Sequence, residues 1–332
     1  MVLLSVIISS LFFERKLTTM KLPWKLLFLA WLLSFSSRFY QFYSTRHKEA
    51  HKPIGIIRSG IWAIHFGMDK NLQNTEYMIA NVIKAMDLDV IALVETDTNR
   101  NLMGPRDMVG DIAARLGWYV HRGPPTLTSN WGCALLSRFP LEGARGMTLP
   151  SPDGEIACAI SAVLNVEGHR VHFLMNHNGQ EEDIIGRELQ TKAMAELVEK
   201  EHPDLPVVFG GYVVASPNSI NYHYLFRNDR GTDGPLHDLI PDDYDRWCLY
   251  VGYRPASAER QEDIVPVSMA RLHHGGISDT EMQMTAFALY PRGFVIDKNE
   301  LLTRGSFSLE KICENQQDYC KFYFHRNSIL IN

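Results

Sequence analysis

Hydrophobic and polar residues alternate along the chain in blocks whose spacing changes between strand-like and helix-like. The continuous apolar runs at residues 90–94 and 132–137 predict buried β-strands, because a strand covered on both faces loses its polar positions. Apolar residues spaced three and four apart predict an amphipathic helix over residues 74–86. Helices are also predicted over residues 105–116 and 184–199.

The remaining apolar segments have strand character, and two of them form a predicted hairpin turned at Glu167-Gly168. These strands are predicted over residues 54–64, 156–166, 169–175, 205–209, 247–253 and 283–289. Many strands with few long helices predict an α/β fold, a four-layer sandwich of two mixed β-sheets flanked by helices. We expect one domain over residues 51–292 and a peripheral C-terminal extension over residues 293–332.

The N-terminal 50 residues have a different pattern. Two apolar runs, residues 2–13 and 26–37, are each shorter than the roughly 20 residues of a membrane-spanning helix. Lys21 and Lys25 precede the second run and Arg38 follows it, which is the layout of a signal peptide or a short signal anchor followed by a basic tether. The alternatives are a remnant of a larger membrane protein or a misassigned start. The first interpretation predicts a secretory-pathway membrane (ER or Golgi), or an extracellular or cell-surface location.

Charge and cysteine content narrow the function. The net charge is −5, yet residues 1–52 carry eight basic and two acidic side chains, so the rest of the chain carries −11. An acidic body argues against nucleic acid as the main substrate. The five cysteines are too few for a disulfide scaffold, and at least one is unpaired. Cys313 and Cys320 are close enough in sequence to pair across a short loop, which spacing alone does not decide.

Acidic and histidine side chains follow several predicted strands. Glu95 comes directly after the apolar run 90–94, where a carboxylate needs a partner such as a divalent metal ion or an arginine. His177 follows the strand 169–175, where it is a candidate acid–base or phosphate-binding group, with an ordinary surface-turn histidine as the alternative.

Two further candidates lie near the last strands. Arg246 follows an acidic turn and is suited to holding a phosphate through its two-pronged guanidinium. Asp279 lies just before the strand 283–289 and is a candidate metal ligand or histidine-orienting group, although Ser278-Asp279 is equally typical of a cap.

The serial order of these segments resembles the endonuclease/exonuclease/phosphatase superfamily, a two-sheet fold of metal-dependent phosphodiesterases. The resemblance covers about residues 54–290. Its matching segments are residues 87–95 (DLDVIALVE), 136–141 (LSRFPL), 175–177 (MNH), 207–217 (VVFGGYVVASP) and 277–280 (ISDT). The first of these ends in Glu95, at the position of the superfamily's metal-binding glutamate.

The chain departs from the superfamily pattern at four positions. In this alignment the superfamily's first-strand Asn falls near Ala63, its paired Asp and Asn fall on Gly211 and Val213, and its final His falls on Thr280. The standard mechanism therefore cannot operate unchanged. His65 and His274 are candidates to replace the missing histidine at the leaving group.

Longer strings point to one subgroup. Residues 150–157 (PSPDGEIA), 245–248 (DRWC) and 278–283 (SDTEMQ) closely resemble the C-terminal domain of the calcofluor-white-hypersensitive protein family, also called PGAP2-interacting protein. That family is implicated in remodelling the lipid of glycosylphosphatidylinositol (GPI) anchors. Its full-length members begin with a multi-span membrane region, of which we expect at most the end of the last helix in this sequence.

The resemblance implies a membrane-associated, phosphodiesterase-like protein that acts on a GPI or an inositol phospholipid. It also implies Mg²⁺ on Glu95, phosphate binding by Arg246, a membrane and a multi-span GPI-remodelling protein as partners, and no nucleic acid. The implied catalytic residues are His177, Asp279, His65 and His274. The main alternative is a non-catalytic adaptor that binds lipid headgroups, with Glu95 in a structural role. A nuclease or ordinary phosphatase of the same fold is the third possibility.

Overall fold

The chain is described by a computed structural model. The described residues are 55–97, 107–124, 131–166, 168–217, 219–227, 234–260, 262–291, 303–309 and 322–330. The chain divides into two compact units, Met1–His47 and Lys48–Asn332, and all of the described residues belong to the second. In this described part, no helix has the length and apolar character needed to cross a membrane.

Two seven-stranded sheets form the centre of the second unit. The order of the first sheet is β14 (Phe322–Ile329), β12 (Glu262–His274), β13 (Met282–Pro291), β1 (Ile56–Ala63), β2 (Val90–Asp97), β4 (Trp131–Ser137) and β3 (Tyr119–Arg122). Strands β1 and β2 are parallel, whereas β1 and β13 are antiparallel, so the sheet is mixed.

The second sheet is mixed in the same way, since β7 and β8 are parallel and their outer neighbours antiparallel. Its order is β5 (Leu141–Thr148), β6 (Cys158–Val166), β7 (His169–His177), β8 (Val207–Tyr212), β11 (Leu249–Arg254), β10 (Leu236–Asp238) and β9 (Phe226–Arg227).

Four α-helices are described, and three of them begin at a capped residue. The helices are α1 (Glu76–Ala85), α2 (Met108–Leu116), α3 (Ile184–Lys200) and α4 (Ile220–Leu225). Asp107, Asp183 and Ser219 each accept a hydrogen bond from a first-turn amide of α2, α3 and α4, which satisfies a donor that the helix itself leaves open. Helix α2 ends at Gly117, whose φ of 70° is the left-handed conformation that favours glycine.

Three hydrophobic clusters separate four layers. Strand β2 shows how one strand serves two of them: Ile91 and Leu93 pack with α1 and α2, while Val90, Ala92 and Val94 pack between the sheets. A third cluster joins the outer face of the second sheet to α3 and α4. The predicted four-layer α/β sandwich is therefore confirmed. All side chains of the three hydrophobic clusters belong to the second unit, so this unit has a hydrophobic core of its own, as expected of a domain that folds independently.

Several strands differ from the predictions or were not predicted, and three of them affect the sheets most. Strand β8 continues through Gly210-Gly211, which the sequence analysis took as its end. The long strand β12 was not predicted, because its sequence EDIVPVSMARLHH has no sustained alternation. Strand β14 pairs with β12 as the edge of the first sheet, so part of the segment 293–332 belongs to the sandwich, which the predicted boundary at residue 292 does not anticipate.

A disulfide joins the two sheets. Cys133 lies on β4 in the first sheet and Cys158 on β6 in the second, and the two are bonded with a Cα–Cα distance of 6.2 Å. Cys248 is a free thiol. The pairing of Cys313 with Cys320 concerns residues outside the described ranges.

Candidate functional site

A cavity of about 370 Å³ opens where β2, β7 and β8 end. Four carboxylates, two imidazoles and several aromatic rings line it. The polar members are His65, Glu95, Glu155, His177, Gln180, Glu181, Cys248 and Asp279, and the aromatic ones are Phe66, Trp131, Tyr212 and Trp247. Of the predicted site residues, the structure therefore brings together Glu95, His177, Asp279 and His65.

Strained backbone is concentrated at this cavity. Four of its lining residues have positive φ although none is glycine: His65 (43°), Phe66 (57°), Glu95 (58°) and Val214 (51°). Positive φ is costly for such side chains, most of all for a β-branched valine, and this kind of strain clusters at functional sites. For Glu95 it coincides with a bulge in the pairing of β2 with β4, which turns the carboxylate out of the strand alternation.

The hydrogen bonds of His177 decide its chemistry. Its Nδ1 lies 2.5 Å from the carbonyl oxygen of Asn178, which can only accept, so Nδ1 carries a proton. Its Nε2 lies 3.5 Å from Oε1 of Glu95. A neutral ring would point a lone pair at the carboxylate there. The arrangement therefore suits either a doubly protonated His177 or a cation held by both groups.

Two aromatic rings hold the imidazole of His177 in place. The ring of Tyr212 stacks on it with a centroid separation of 4.2 Å and an interplanar angle of 4°. The ring of Trp131 lies at the same centroid distance with a tilt of 49°. Trp131 Nε1 in turn donates to Glu155. With both neighbours in contact, His177 is buried and has little freedom to turn.

The backbone after His177 is tied to the neighbouring elements. Asn178 donates from Nδ2 to the hydroxyl of Thr191 and to the carbonyl of Val213, at 3.0 Å each. The amide of Gly179 donates to Oε1 of Gln190 at 2.8 Å. These bonds attach the strand end to α3 and to the loop after β8, so the position of His177 is set by the fold.

Neither of the two residues that the alignment matched to polar superfamily residues at the end of β8 lines the cavity. That alignment put the superfamily's Asp and Asn at Gly211 and Val213. In the structure Tyr212 and Val214 line the cavity, while Val213 lies in the hydrophobic cluster under α3 and α4. A Cβ on Gly211 would lie 2.2 Å from the ring of Phe209, so that position has no room for an aspartate. A shift of one residue reverses which face a strand side chain occupies.

The thiol of Cys248 is not an activated nucleophile. Burial raises its pKa to about 11, and the nearby carboxylates Glu95, Glu181 and Asp279 add to the shift. The pKa of Tyr212, with which Cys248 shares a hydrogen bond, is also raised, chiefly by burial. Both groups therefore stay protonated and neutral near pH 7, and a thiolate mechanism has no support here.

Asp279 is placed by its two neighbours. The hydroxyl groups of Ser278 and Thr280 both donate to the carbonyl oxygen of Ala63 at the end of β1, at 2.6 and 2.9 Å. This clamp holds the turn between β12 and β13 against the strand end and directs Asp279 to the cavity. Ser278 also donates to Oδ1 of Asp279 at 3.2 Å.

His65 is the second imidazole at the cavity. It lies in the short 3₁₀ turn His65–Gly67 after β1. Its Nδ1 lies 3.3 Å from the carbonyl of Met68, so in the neutral ring the lone pair is on Nε2. A neutral ring of this tautomer can accept a proton, which makes it complementary to a doubly protonated His177.

His274 lies away from the cavity, in contrast to its predicted catalytic role. It is buried against Trp62, its Nε2 faces the carbonyl of Thr280, and its Nδ1 accepts from the amide of Ile277. Burial lowers its pKa, so the ring is neutral. Its hydrogen bonds shape the turn that carries Asp279, so His274 acts on the site through that turn.

Arg246 is also outside the cavity lining, although it was predicted to hold phosphate. Its guanidinium makes a buried two-pronged ion pair with Asp238, at 2.9 and 2.6 Å, and also donates to the carbonyls of Ile240 and Asp243. It packs over the ring of Tyr250. These partners occupy the donors that a phosphate would need, so the structure gives Arg246 a role in the fold.

The cavity is electrostatically negative. Its lining contains Glu95, Glu155, Glu181 and Asp279, and among the described residues no lysine or arginine lines it. No group of three or more His, Cys, Asp or Glu side chains in this described part is arranged to hold a metal ion. Mg²⁺ is commonly held by only one or two protein carboxylates together with water and substrate phosphate, and Glu95 and Asp279 fit that donor set.

Trp131, Tyr212 and Glu155 were not singled out as site residues in the sequence analysis. Tyr212 carried one usable signal, because it occupies the last position of a buried strand next to the His177 strand. Trp131 and Glu155 carried none, since they reach the cavity from β4 and from the loop before β6.

Solved structures with the same fold identify the class of protein. An endonuclease/exonuclease/phosphatase from Beutenbergia cavernae matches with a TM-score of 0.53 and 17% identity, over 71% of this chain and 72% of that one. TDP2 of D. rerio complexed with a single-stranded DNA product gives 0.56 and 13%, over 70% and 98%. The human Nocturnin catalytic domain with a bound sulfate gives 0.53 and 16%, over 71% and 94%. The fold is that of the endonuclease/exonuclease/phosphatase superfamily.

Sequence comparison then gives the family. A family model described as the PGAP2IP C-terminal nuclease-like domain matches residues 55–306, and the chain belongs to this family. Protein cwh43 of Schizosaccharomyces pombe is 40% identical over 232 residues, which are 70% of this chain and 22% of that protein. The chain thus spans about a fifth of the length of this relative.

Proposed function

We propose that this protein is a metal-dependent phosphodiesterase-like enzyme that acts on a GPI or an inositol phospholipid in GPI-anchor lipid remodelling. The observation that carries the proposal is the pairing of Glu95 with His177 inside a carboxylate-lined cavity. The lipid assignment rests on the family relationship. It is a proposal because only about a fifth of the matching relative's length corresponds to this chain.

The charge of the cavity supports a metal requirement. A phosphodiester is an anion, and the lining carboxylates repel it while no lining lysine or arginine in the described part of the chain offsets them. A divalent cation would reverse the local charge and let the phosphate enter. Glu95 and Asp279 would hold the ion. When bound, it would supply Lewis-acid stabilisation of the charge that develops on the phosphoryl oxygens.

The two histidines divide the proton transfers. His65 in its neutral form accepts the proton of the attacking hydroxyl group, from water or a lipid alcohol, at Nε2. His177, doubly protonated beside Glu95, donates its Nε2 proton to the departing oxygen. The P–O bond to the attacking oxygen forms as the bond to the leaving oxygen breaks. These two proton transfers do not need the superfamily's aspartate, which falls on Gly211 in the alignment.

The cross-sheet disulfide supports a secretory-pathway location. Structural disulfides persist in the ER lumen and outside the cell and are rare in reducing compartments. The bond between Cys133 and Cys158 is buried and joins the two sheets, as expected of a structural one. A luminal or cell-surface site is also where the GPI anchors expected from the family would be met.

One observation favours the second candidate, a non-catalytic adaptor that binds lipid headgroups. The superfamily's paired Asp and Asn fall on Gly211 and Val213 in the alignment, and neither of these residues gives the cavity a polar side chain. An adaptor would keep the cavity and lose turnover. The two candidates differ in whether His177 is needed for chemistry or only for shape.

Hydrolysis assays test the proposal directly. Residues 48–332 are incubated with Mg²⁺ and a water-soluble inositol phosphodiester, and phosphodiester cleavage is followed by ³¹P NMR. We expect turnover that falls at least 100-fold in His177→Gln and in Glu95→Gln, since each removes a group used in the reaction. His169→Gln, at the opposite end of the same strand, is the matched control and retains activity. Turnover that is unchanged in both site variants contradicts the proposal, and headgroup binding without turnover supports the adaptor.

A further inference from the structure

Several large apolar side chains are exposed on the segments that border the cavity. Ten such side chains stand exposed in the described part of the chain, and six of them lie on segments that continue from cavity-lining residues. These six, here called the apolar rim, are Ile184, Ile185, Leu189, Ile220, Tyr244 and Trp247. Scattered exposed apolar residues are ordinary, whereas a cluster beside a binding site marks an interaction surface.

Hydrogen bonds connect the segments that carry most of the apolar rim. Ile184 and Ile185 begin α3, three and four residues after the lining residue Glu181, and are 66% and 67% exposed. Arg187 in the same turn donates to the carbonyls of Val214 and Glu181, at 2.5 and 2.7 Å. The first turn of α3 therefore lies against the loop that lines the cavity.

The other members are attached to that loop. The amide of Ala215, next to Val214, donates to the carbonyl of Trp247 at 2.9 Å. The same loop leads into α4, whose first residue, Ile220, is 64% exposed. Helix α4 packs on α3 through a hydrogen bond of 3.1 Å from the Tyr224 hydroxyl to Glu188.

We propose that the apolar rim docks on the surface of a lipid bilayer, so that the cavity opens directly onto the membrane that supplies its substrate. This inference rests on the proposed function, because it assumes that the substrate is a lipid phosphodiester. Such a phosphodiester lies at the level of the headgroups, which is where docking of the apolar rim would place the cavity.

The chemistry of the rim fits a bilayer. Aliphatic side chains at the starts of two helices can enter the acyl boundary, while Tyr244 and Trp247 have the amphipathic rings that favour the headgroup level. The flanking charges are mixed, with Glu182 and Asp245 as well as Arg187 and Lys192, and they form no basic cluster that would attract anionic lipid. The docking is therefore hydrophobic, needs no anionic lipid and is insensitive to salt.

The length of the segment before the described residues is consistent with docking on a bilayer. The apolar run at residues 26–37 is separated from Gly55, the first described residue, by residues 38–54. Seventeen residues extend to about 60 Å at most. If residues 26–37 are held in a membrane, the tether is long enough for the rim to reach the same surface.

Vesicle flotation tests the inference without requiring catalysis. Residues 48–332 are mixed with pure phosphatidylcholine vesicles, once at low salt and once in 0.5 M salt, where the Debye length is only about 4 Å. We expect the protein to float at both salt levels. Ile184→Ser/Ile185→Ser should lower the partition coefficient about tenfold with unchanged circular dichroism.

Ile329→Ser is the matched control, because Ile329 is also exposed, at 49%, but lies on the edge strand β14. It should float like the parent. Equal flotation of the double variant and the parent, no flotation of the parent, or binding lost in 0.5 M salt overturns the inference. So does a dimer in solution that the double variant abolishes, because the rim would then bind a second copy. Flotation without hydrolysis contradicts only the proposed enzyme, and hydrolysis of a soluble headgroup without flotation contradicts only the docking.

Discussion

The imidazole of His177 lies flat against the ring of Tyr212, with their centroids 4.2 Å apart and their planes 4° from parallel. Tyr212 is the last residue of β8 and follows Gly211, the position on which the superfamily's aspartate falls in the alignment. A stacked ring orients an imidazole by contact, whereas an aspartate orients it by charge. The site thus keeps an oriented histidine with a neutral neighbour.

The first prediction concerns this stack. Tyr212→Phe keeps the ring and should retain activity within about threefold, while Tyr212→Ala should lower kcat about 10- to 100-fold because His177 can then turn. The measurement is kcat and KM for the soluble inositol phosphodiester across pH 5–9. A purely structural role for Tyr212 would lower the melting temperature of both variants and leave kcat of the folded fraction unchanged.

The second prediction concerns the disulfide between the sheets. Cys133 and Cys158 are 25 residues apart, and closing a loop of that size in the unfolded chain stabilises the fold by about 3–4 kcal/mol in the chain-entropy model. Cys133→Ala/Cys158→Ala should therefore lower the melting temperature by roughly 6 °C. Cys248→Ala is the control that removes a thiol without a bridge. Equal melting temperatures for the double variant and the parent would show that the bond does not form.

The third prediction concerns stability in acid. His172 is fully buried, and burial lowers its pKa to about 3. Between pH 6.5 and 3 the unfolded chain therefore binds a proton that the folded chain does not, so stability falls as pH falls through this window. The loss from this group is about 2 kcal/mol at pH 5.

Urea unfolding of the parent and of His172→Gln at pH 7.5 and pH 5 isolates that contribution from the other titrating groups. Glutamine can still form a hydrogen bond with the hydroxyl group of Ser161, whose Oγ lies 2.9 Å from Nε2 of His172. We expect the parent to lose about 2 kcal/mol more than the variant between the two pH values. A difference between the two proteins that does not change with pH would mean that His172 is protonated in the fold.

The fourth prediction separates the two roles considered for Arg246. Removing one partner of a buried ion pair costs about 3–5 kcal/mol, so Arg246→Met should destabilise the fold by that amount. Arg246→Met/Asp238→Leu should recover part of the loss, because no buried charge is left alone. Chemical unfolding measures both. A variant of full stability that binds headgroup phosphate more weakly would restore the role inferred from the sequence.

Much of the architecture could be predicted from the sequence, because buried strands and amphipathic helices leave periodic patterns. The runs at residues 90–94 and 132–137 became β2 and β4, and the spacing over residues 74–86 became α1. Strand β12 left no such pattern, since proline, arginine and two histidines interrupt its apolar positions. Its existence depends on pairing with β13 and β14 rather than on its own composition.

The site was predictable where a side chain ends a buried strand, as for Glu95 and His177. It was not predictable where partners are remote in sequence. Nothing in the turn 242–246 shows that the guanidinium of Arg246 will meet Asp238 inside the fold, or that His274 will be buried against Trp62. At the end of β8 the alignment concerned Gly211 and Val213, whereas Tyr212 and Val214 line the cavity, because neighbouring residues of a strand face opposite sides.

The most direct test of the account is calorimetry on residues 48–332 with inositol phosphate, in the presence and absence of Mg²⁺, for the parent and for Glu95→Gln. Because the cavity lining is acidic, we expect the parent to bind the headgroup only with Mg²⁺, and Glu95→Gln to weaken that binding at least tenfold. The control is Glu196→Gln, an exposed residue on α3 paired with Lys200, which should bind like the parent. Headgroup binding of equal strength without Mg²⁺, unchanged in Glu95→Gln, would contradict the metal-dependent site.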